Sequence, residues 1–147
     1  AEVSDVLQLG KVVGFENATQ FTGDNNEIEA VNVSVRLASG SDPINLSDAS
    51  YTFATNGFAS VVNGNNDTNS EVINFYQLQG LDDNTRILSD QEDLMIVRFN
   101  LTNMSGDLQA IETSQKLTVV VQAPAGGSSY KEVQAPRQIQ DSESYIL

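Results

Sequence analysis

Two stretches of strict alternation set the terms on which this chain can fold. In IEAVNVSVRL, Val31, Val33, Val35 and Leu37 alternate with Asn32, Ser34 and Arg36; in LMIVRFNLT, Met95, Val97, Phe99 and Leu101 alternate with Ile96, Arg98, Asn100 and Thr102. A period of two marks a half-buried β-strand, because successive side chains leave opposite faces of the backbone. Further strands are expected in LQLGKVVGF (7–15), SYTFA (50–54), FASVV (58–62), EVINFYQLQ (71–79), KLTVVVQ (116–122) and YKEVQ (130–134). No long amphipathic helix competes with them, although EVSDVLQL leaves residues 1–9 open to being the end of a truncated N-terminal helix.

The connections have turn chemistry. Asn56-Gly57 separates two short apolar runs and predicts a tight hairpin, since a type I′ turn needs positive φ at both central positions. TGDNN (22–26), NGNNDTN (63–69), MSGD (104–107) and PAGGSS (124–129) are further polar or glycine-rich breaks. About eight strands at this spacing predict an all-β, antiparallel β-sandwich of immunoglobulin-like shape, with a partly closed β-barrel as the alternative. With 147 residues, one domain over 1–147 is enough, burying on the order of 70% of its unfolded surface.

Six asparagine-glycosylation sequons punctuate the chain: Asn17 (NAT), Asn32 (NVS), Asn45 (NLS), Asn66 (NDT), Asn100 (NLT) and Asn103 (NMS). Fourteen Asn in a Ser- and Thr-rich chain would give roughly two by chance, so six is an excess that points to N-linked glycans. Residues i and i+2 of a strand share a face, which puts Asn32 with Ser34, and Asn100 with Thr102, opposite the apolar stripes. Both acceptors are therefore expected to be exposed. Asn103 falls where its strand should end, and Asn17 and Asn66 fall in loops.

Charge and missing residue types narrow the function. Seven basic against twenty acidic residues give a net charge of −13, which disfavours nucleic-acid phosphates and anionic lipid as partners. The chain has neither His nor Cys, so Ser-His-Asp and Cys-His catalysis, disulfides and thiolate metal sites are all excluded. No phosphate-binding or nucleophile-elbow motif is present, and a pair of carboxylates among twenty has no specificity. The chain is not expected to be an enzyme or to take a soluble small-molecule substrate. GLDDNT (80–85) and SDQED (89–93) concentrate oxygen donors, and Asp82, Asp83, Asn84 and Asp90 are the expected ligands for Ca²⁺ or another divalent cation, if the loop is more than a solvated acidic turn. No run reaches the roughly 18 apolar residues of a membrane span, no signal peptide opens the chain, and it begins at Ala, so processing or a boundary is expected upstream.

The order LQLGKVVGF, VRLASGSDPINLSD, SDQEDLMIVRFNL, TVVVQAPAGG and VQAPRQIQDSESYIL resembles archaellins, the archaeal flagellins. The piece ASGSDPINLS is the most specific, resembling a Gly-Ser-Asp-Pro-Ile-Asp-Leu element of that family; here Asn45 stands at the Asp position and creates a sequon. The resemblance implies a secreted structural subunit of the archaellum, the archaeal swimming filament. It implies a homo-oligomeric helical filament on the cell surface, with a β-sandwich projecting outward from a core of N-terminal hydrophobic helices. Contact with the membrane would be confined to the stage before assembly, through that helix, which this sequence lacks. The family resemblance also implies glycans and a metal ion in the outer domain. Two other classes stay open: a stationary envelope protein, either a surface-layer module or an archaellum stator subunit, and a carbohydrate-binding module. The last would use Tyr51, Tyr76 or Tyr130 on its surface, while Phe53, Phe75 and Phe99 lie in core-like runs.

Overall fold

A computed structural model describes residues 7–15, 28–38, 42–55, 58–64, 73–79, 85–90, 92–101, 111–124, 127–139 and 144–147. The alternation resolves into eleven strands: β1 (Leu7–Phe15), β2 (Ala30–Leu37), β3 (Ile44–Asn45), β4 (Ser50–Thr55), β5 (Phe58–Asn63), β6 (Ile73–Gln79), β7 (Ile87–Leu88), β8 (Leu94–Asn100), β9 (Lys116–Gln122), β10 (Ser128–Gln134) and β11 (Ser144–Ile146). Eight coincide with the stretches picked out by periodicity. The additional β3, β7 and β11 have two or three residues each, too few to show a period. Leu7, Gln8 and Leu9 belong to β1, which corrects the expectation of a helix end there; residues 1–6 lie outside the described residues.

The strands form a five-stranded sheet in the order β11-β1-β2-β8-β6, a four-stranded sheet β10-β9-β4-β5 and a small β3-β7 pair, with every strand pairing antiparallel. The two larger sheets are separate layers over one core, so the fold is a sandwich and the barrel alternative falls away. β4 and β5 pair antiparallel up to Thr55↔Phe58, and Asn56 and Gly57, on which the tight turn is expected, lie outside the described residues. Between β9 and β10, Gly127 adopts φ 84°, a left-handed conformation that favours glycine, and its carbonyl accepts the Ala123 N–H at 3.0 Å.

Burial follows the alternation. Met95, Val97 and Phe99 of β8, Val31, Val33 and Val35 of β2, and Leu117, Val119 and Val121 of β9 are all buried. The Phe99 ring crosses between the layers and meets Tyr51 at 5.1 Å and Phe53 at 4.6 Å, both from β4, in tilted and edge-on geometries favoured by the ring quadrupoles. Tyr51 is fully buried, so it cannot serve as a surface platform. Its hydroxyl donates to the Leu46 carbonyl at 2.7 Å, and burial pushes the phenol pKa up, which keeps that proton in place. Tyr76 and Tyr130 are exposed, but they lie on β6 and β10, edge strands of different sheets, and cannot form a shared platform. Phe75 is half-buried with the Arg86 guanidinium 4.8 Å above its ring.

At one side the layers are tied together by β10 lying along β1. Register slips between Leu9 and Val12, leaving a bulge at which the Gly10 carbonyl accepts the Lys131 ammonium at 2.6 Å. The Ser129 hydroxyl donates to the Leu7 carbonyl at 2.6 Å in the interior. A short 3₁₀ turn (Leu46–Asp48) plugs the core with Leu46 and packs directly against Gly64. A Cβ on Gly64 would overlap the Leu46 carbonyl oxygen and stand 2.9 Å from the Ser47 Cα, both rigid backbone atoms.

Two substitutions test this packing in denaturant titrations. Phe99→Ala is expected to cost about 3–5 kcal/mol, since it removes the ring that spans both layers. Gly64→Ala should cost about 1–3 kcal/mol through backbone displacement, and a neutral result would show that the 3₁₀ turn does not press on this position.

Candidate functional site

Three of the six acceptor asparagines, Asn32, Asn45 and Asn100, lie in described strands; Asn17, Asn66 and Asn103 lie outside the described residues. Asn32 sits mid-strand in β2, with Val13 of β1 and Arg98 of β8 on either side. Asn100 ends β8 opposite Ala30. Both occupy the outer face, as alternation requires, yet both are half-buried rather than exposed. The reason is the company they keep: Val13, Phe15, Leu94 and Ile96 share that face and are themselves half-buried. Arg98 covers the Phe15 ring at 5.1 Å, and the Asn32 Oδ1 is buried with no hydrogen-bond partner among the described residues.

Asn45 is held differently. It closes β3 and caps the 3₁₀ turn, its Oδ1 accepting the Ser47 N–H at 3.0 Å and the Ser47 hydroxyl at 2.6 Å. The sequon's own serine therefore orients the asparagine amide through its oxygen. This leaves the nitrogen, the atom to which a glycan would be joined, without a hydrogen-bond partner among the described residues. The turn is anchored on both sides of Leu46, whose N–H donates to the Arg86 carbonyl at 2.7 Å and whose own carbonyl takes the Tyr51 hydroxyl.

Of the expected metal ligands, Asp82, Asp83 and Asn84 lie outside the described residues, and Asp90 is exposed. The neighbouring Asp93 is buried, and a single carboxylate oxygen accepts the N–H groups of Ser89 and Asp90, each at 3.0 Å, and the Ser89 hydroxyl at 3.3 Å. The Asp93 N–H in turn donates to the Asp90 carbonyl at 3.0 Å. Asp93 is thus the clasp of the turn that feeds β8, and its Oδ2 is spent on protein donors. Among the described residues no three Asp or Glu side chains converge on a cation site. The backbone bond from Ser89 is the main force holding the Asp93 carboxyl below its ordinary value, against the opposing effect of burial.

No family model matches the chain. In sequence it is 28% identical to Flagellin B1 of Natrialba magadii over 153 residues, an alignment that takes in 99% of this chain and 73% of that protein. In structure it superposes on the archaeal flagellin FlaB1 from Methanocaldococcus jannaschii with a TM-score of 0.69 and 16% identity, covering 93% of this chain and 98% of the other. The resemblance to archaellins is borne out. The archaellin-like fold also matches the archaeal flagellum of Methanospirillum hungatei strain JF1, with a TM-score of 0.56 and 11% identity over 94% of this chain and 71% of that one. A third match is the archaellum periplasmic stator protein complex FlaF and FlaG from Sulfolobus acidocaldarius, with a TM-score of 0.54 and 13% identity over 90% of this chain and 92% of the other. The flagellin relatives are structural proteins rather than enzymes, in line with the absence of His and Cys from this sequence.

The Asp93 clasp has a defined pH signature. Its folded pKa lies below the unfolded value of 3.8, so the stability it contributes is complete above that value and is lost as pH falls through the lower folded one. Asp93→Asn is expected to lose about 1–3 kcal/mol near neutral pH, with the gap from the unaltered chain closing below about pH 4. Thermal unfolding across pH would show it, and a gap independent of pH would remove the ionised carboxylate from the account.

Proposed function

We propose that this chain is the outer structural domain of an archaellum filament subunit, displayed on the cell surface in a homopolymer and carrying N-linked glycan. The observation that supports this most is the end-to-end alignment with Flagellin B1, together with two-way coverage of the FlaB1 fold. A filament grows by heterologous contacts that do not close on themselves, so different patches of one subunit meet on its neighbours. A non-catalytic sandwich suits that task, because its two broad outer faces and its loop ends are separately available for contact.

Among the described acceptors, Asn45 is the favoured glycan site. It lies in a turn fixed by Ser47, whereas Asn32 is embedded in a five-stranded sheet with its oxygen buried. A bound cation has no comparable support among the described residues and forms no part of this reading. The stator reading rests on the weaker likeness to the FlaF and FlaG complex, which comes without a sequence match of the Flagellin B1 kind.

Expression of the complete gene in a motile archaeal host, followed by shearing and mass spectrometry of filaments, discriminates the two. The chain is expected in the filament fraction with the Asn45 peptide modified. Its retention in the envelope fraction, with none in filaments, would sink the filament proposal and favour the stator.

A further inference from the structure

The charges of this chain are sorted by secondary structure. Among the described residues eight are acidic, and Glu132 alone of these lies in a strand; seven are basic, and five of these lie in strands, namely Lys11, Arg36, Arg98, Lys116 and Lys131. Strand propensity accounts for part of this, since Asp is depleted in strands, but it thins out Lys about as much as Glu. The described sheets of a strongly anionic chain are thus net basic, and the described acidic residues other than Glu132 lie between strands.

The sorting is sharpest on the outer face of the five-stranded sheet. Its strands contribute Lys11, Arg36 and Arg98 and no carboxylate. A groove of about 610 Å³ runs over β1, β2 and β8 there, with Leu9, Val13, Leu94 and Ile96 along it and the exposed Lys11 and Arg36 beside them. Among its described lining residues none is acidic. An apolar floor edged by cations fits an acidic segment that also brings apolar groups.

We infer that this groove receives an acidic connecting loop of a second copy of the same chain. Charge complementarity selects that occupant: a basic flank and acidic loops coexist on every copy, so each molecule offers both halves of the contact. Flank-to-flank pairing would oppose like charges, and loop-to-loop pairing would do so more strongly. A flank-to-end contact is heterologous, leaves one groove and one loop end free after every addition, and so propagates. The contact deepens the filament proposal and rests on it for its setting, but it is testable on the 147-residue chain by itself.

Concentration-dependent nuclear magnetic resonance of the ¹⁵N-labelled chain, from micromolar to millimolar, is the test. Shift changes are expected on β1, β2 and β8 around the groove and, in the same series, on acidic connections. Lys11→Glu with Arg36→Glu should weaken this self-association roughly tenfold or more, through two exposed positions that leave the core untouched. Absence of concentration dependence, changes confined to other surfaces, or indifference to the double reversal in a variant with a dispersed, folded spectrum would each overturn the inference. Filaments formed normally by the complete protein bearing both reversals would also overturn it, while leaving the filament proposal standing.

Discussion

The contact of Phe99 with Tyr51 and Phe53 is the point on which the rest of the sandwich depends. Two sheets of alternating strands each expose one apolar face, and nothing in the alternation alone says how those faces are to be placed against each other. The ring from β8 entering between two rings of β4 fixes that placement at 4.6 and 5.1 Å. With the layers set, Met95 and Val97 on one side, and Val119 and Val121 on the other, fall into a single core. Shape, more than total apolar area, decides the relative position, because rings with a quadrupole favour tilted and edge-on approaches.

From Tyr51 the constraint passes to the end of the sandwich where a glycan would be attached. The buried phenol cannot be left without a partner, and it finds the Leu46 carbonyl. That bond holds the 3₁₀ turn, whose first residue is plugged into the core and whose cap is Asn45. Gly64 lets the chain after β5 pass close enough to cover the turn, and its N–H donates to the Ala49 carbonyl at 2.9 Å. The conformation of an acceptor asparagine is therefore set by the same ring that aligns the two sheets.

Much of this was legible in the sequence, and the parts that were not share a cause. Val31 to Leu37 and Met95 to Leu101 announced their strands and their buried faces because period two is a local signal. β3 and β7 were invisible because their pairing, Ile44↔Leu88, joins segments too short to show a period and far apart in the chain. Tyr51 was open to being a surface ring because an aromatic in a short run carries no mark of its partner; its burial follows from Phe99, nearly fifty positions away. Asp93 was counted with an acidic loop, since only the fold shows Ser89 and Asp90 turning their N–H groups onto its carboxylate. The half-burial of Asn32 and Asn100 was missed for a related reason. Polarity along one strand does not amount to exposure: around Asn32 and Asn100 the neighbouring strands place Val13, Phe15 and Ala30 on the same face, and Arg98 covers the Phe15 ring.

The sequons and the basic groove bear on one another. Asn32 shares the outer face with Val13 and Arg98, one row from the groove, so a glycan on Asn32 would lie over the very surface that the charge distribution marks for contact. A glycan at Asn32 and docking in the groove would therefore compete on the same subunit. Asn45 belongs to β3 and to none of the strands that line the groove. The orientation of Asn45 by Ser47 and the burial of the Asn32 oxygen would work in the same direction, favouring sugar away from the groove floor. A subunit built this way can be glycosylated and still present an uncovered face to its neighbour.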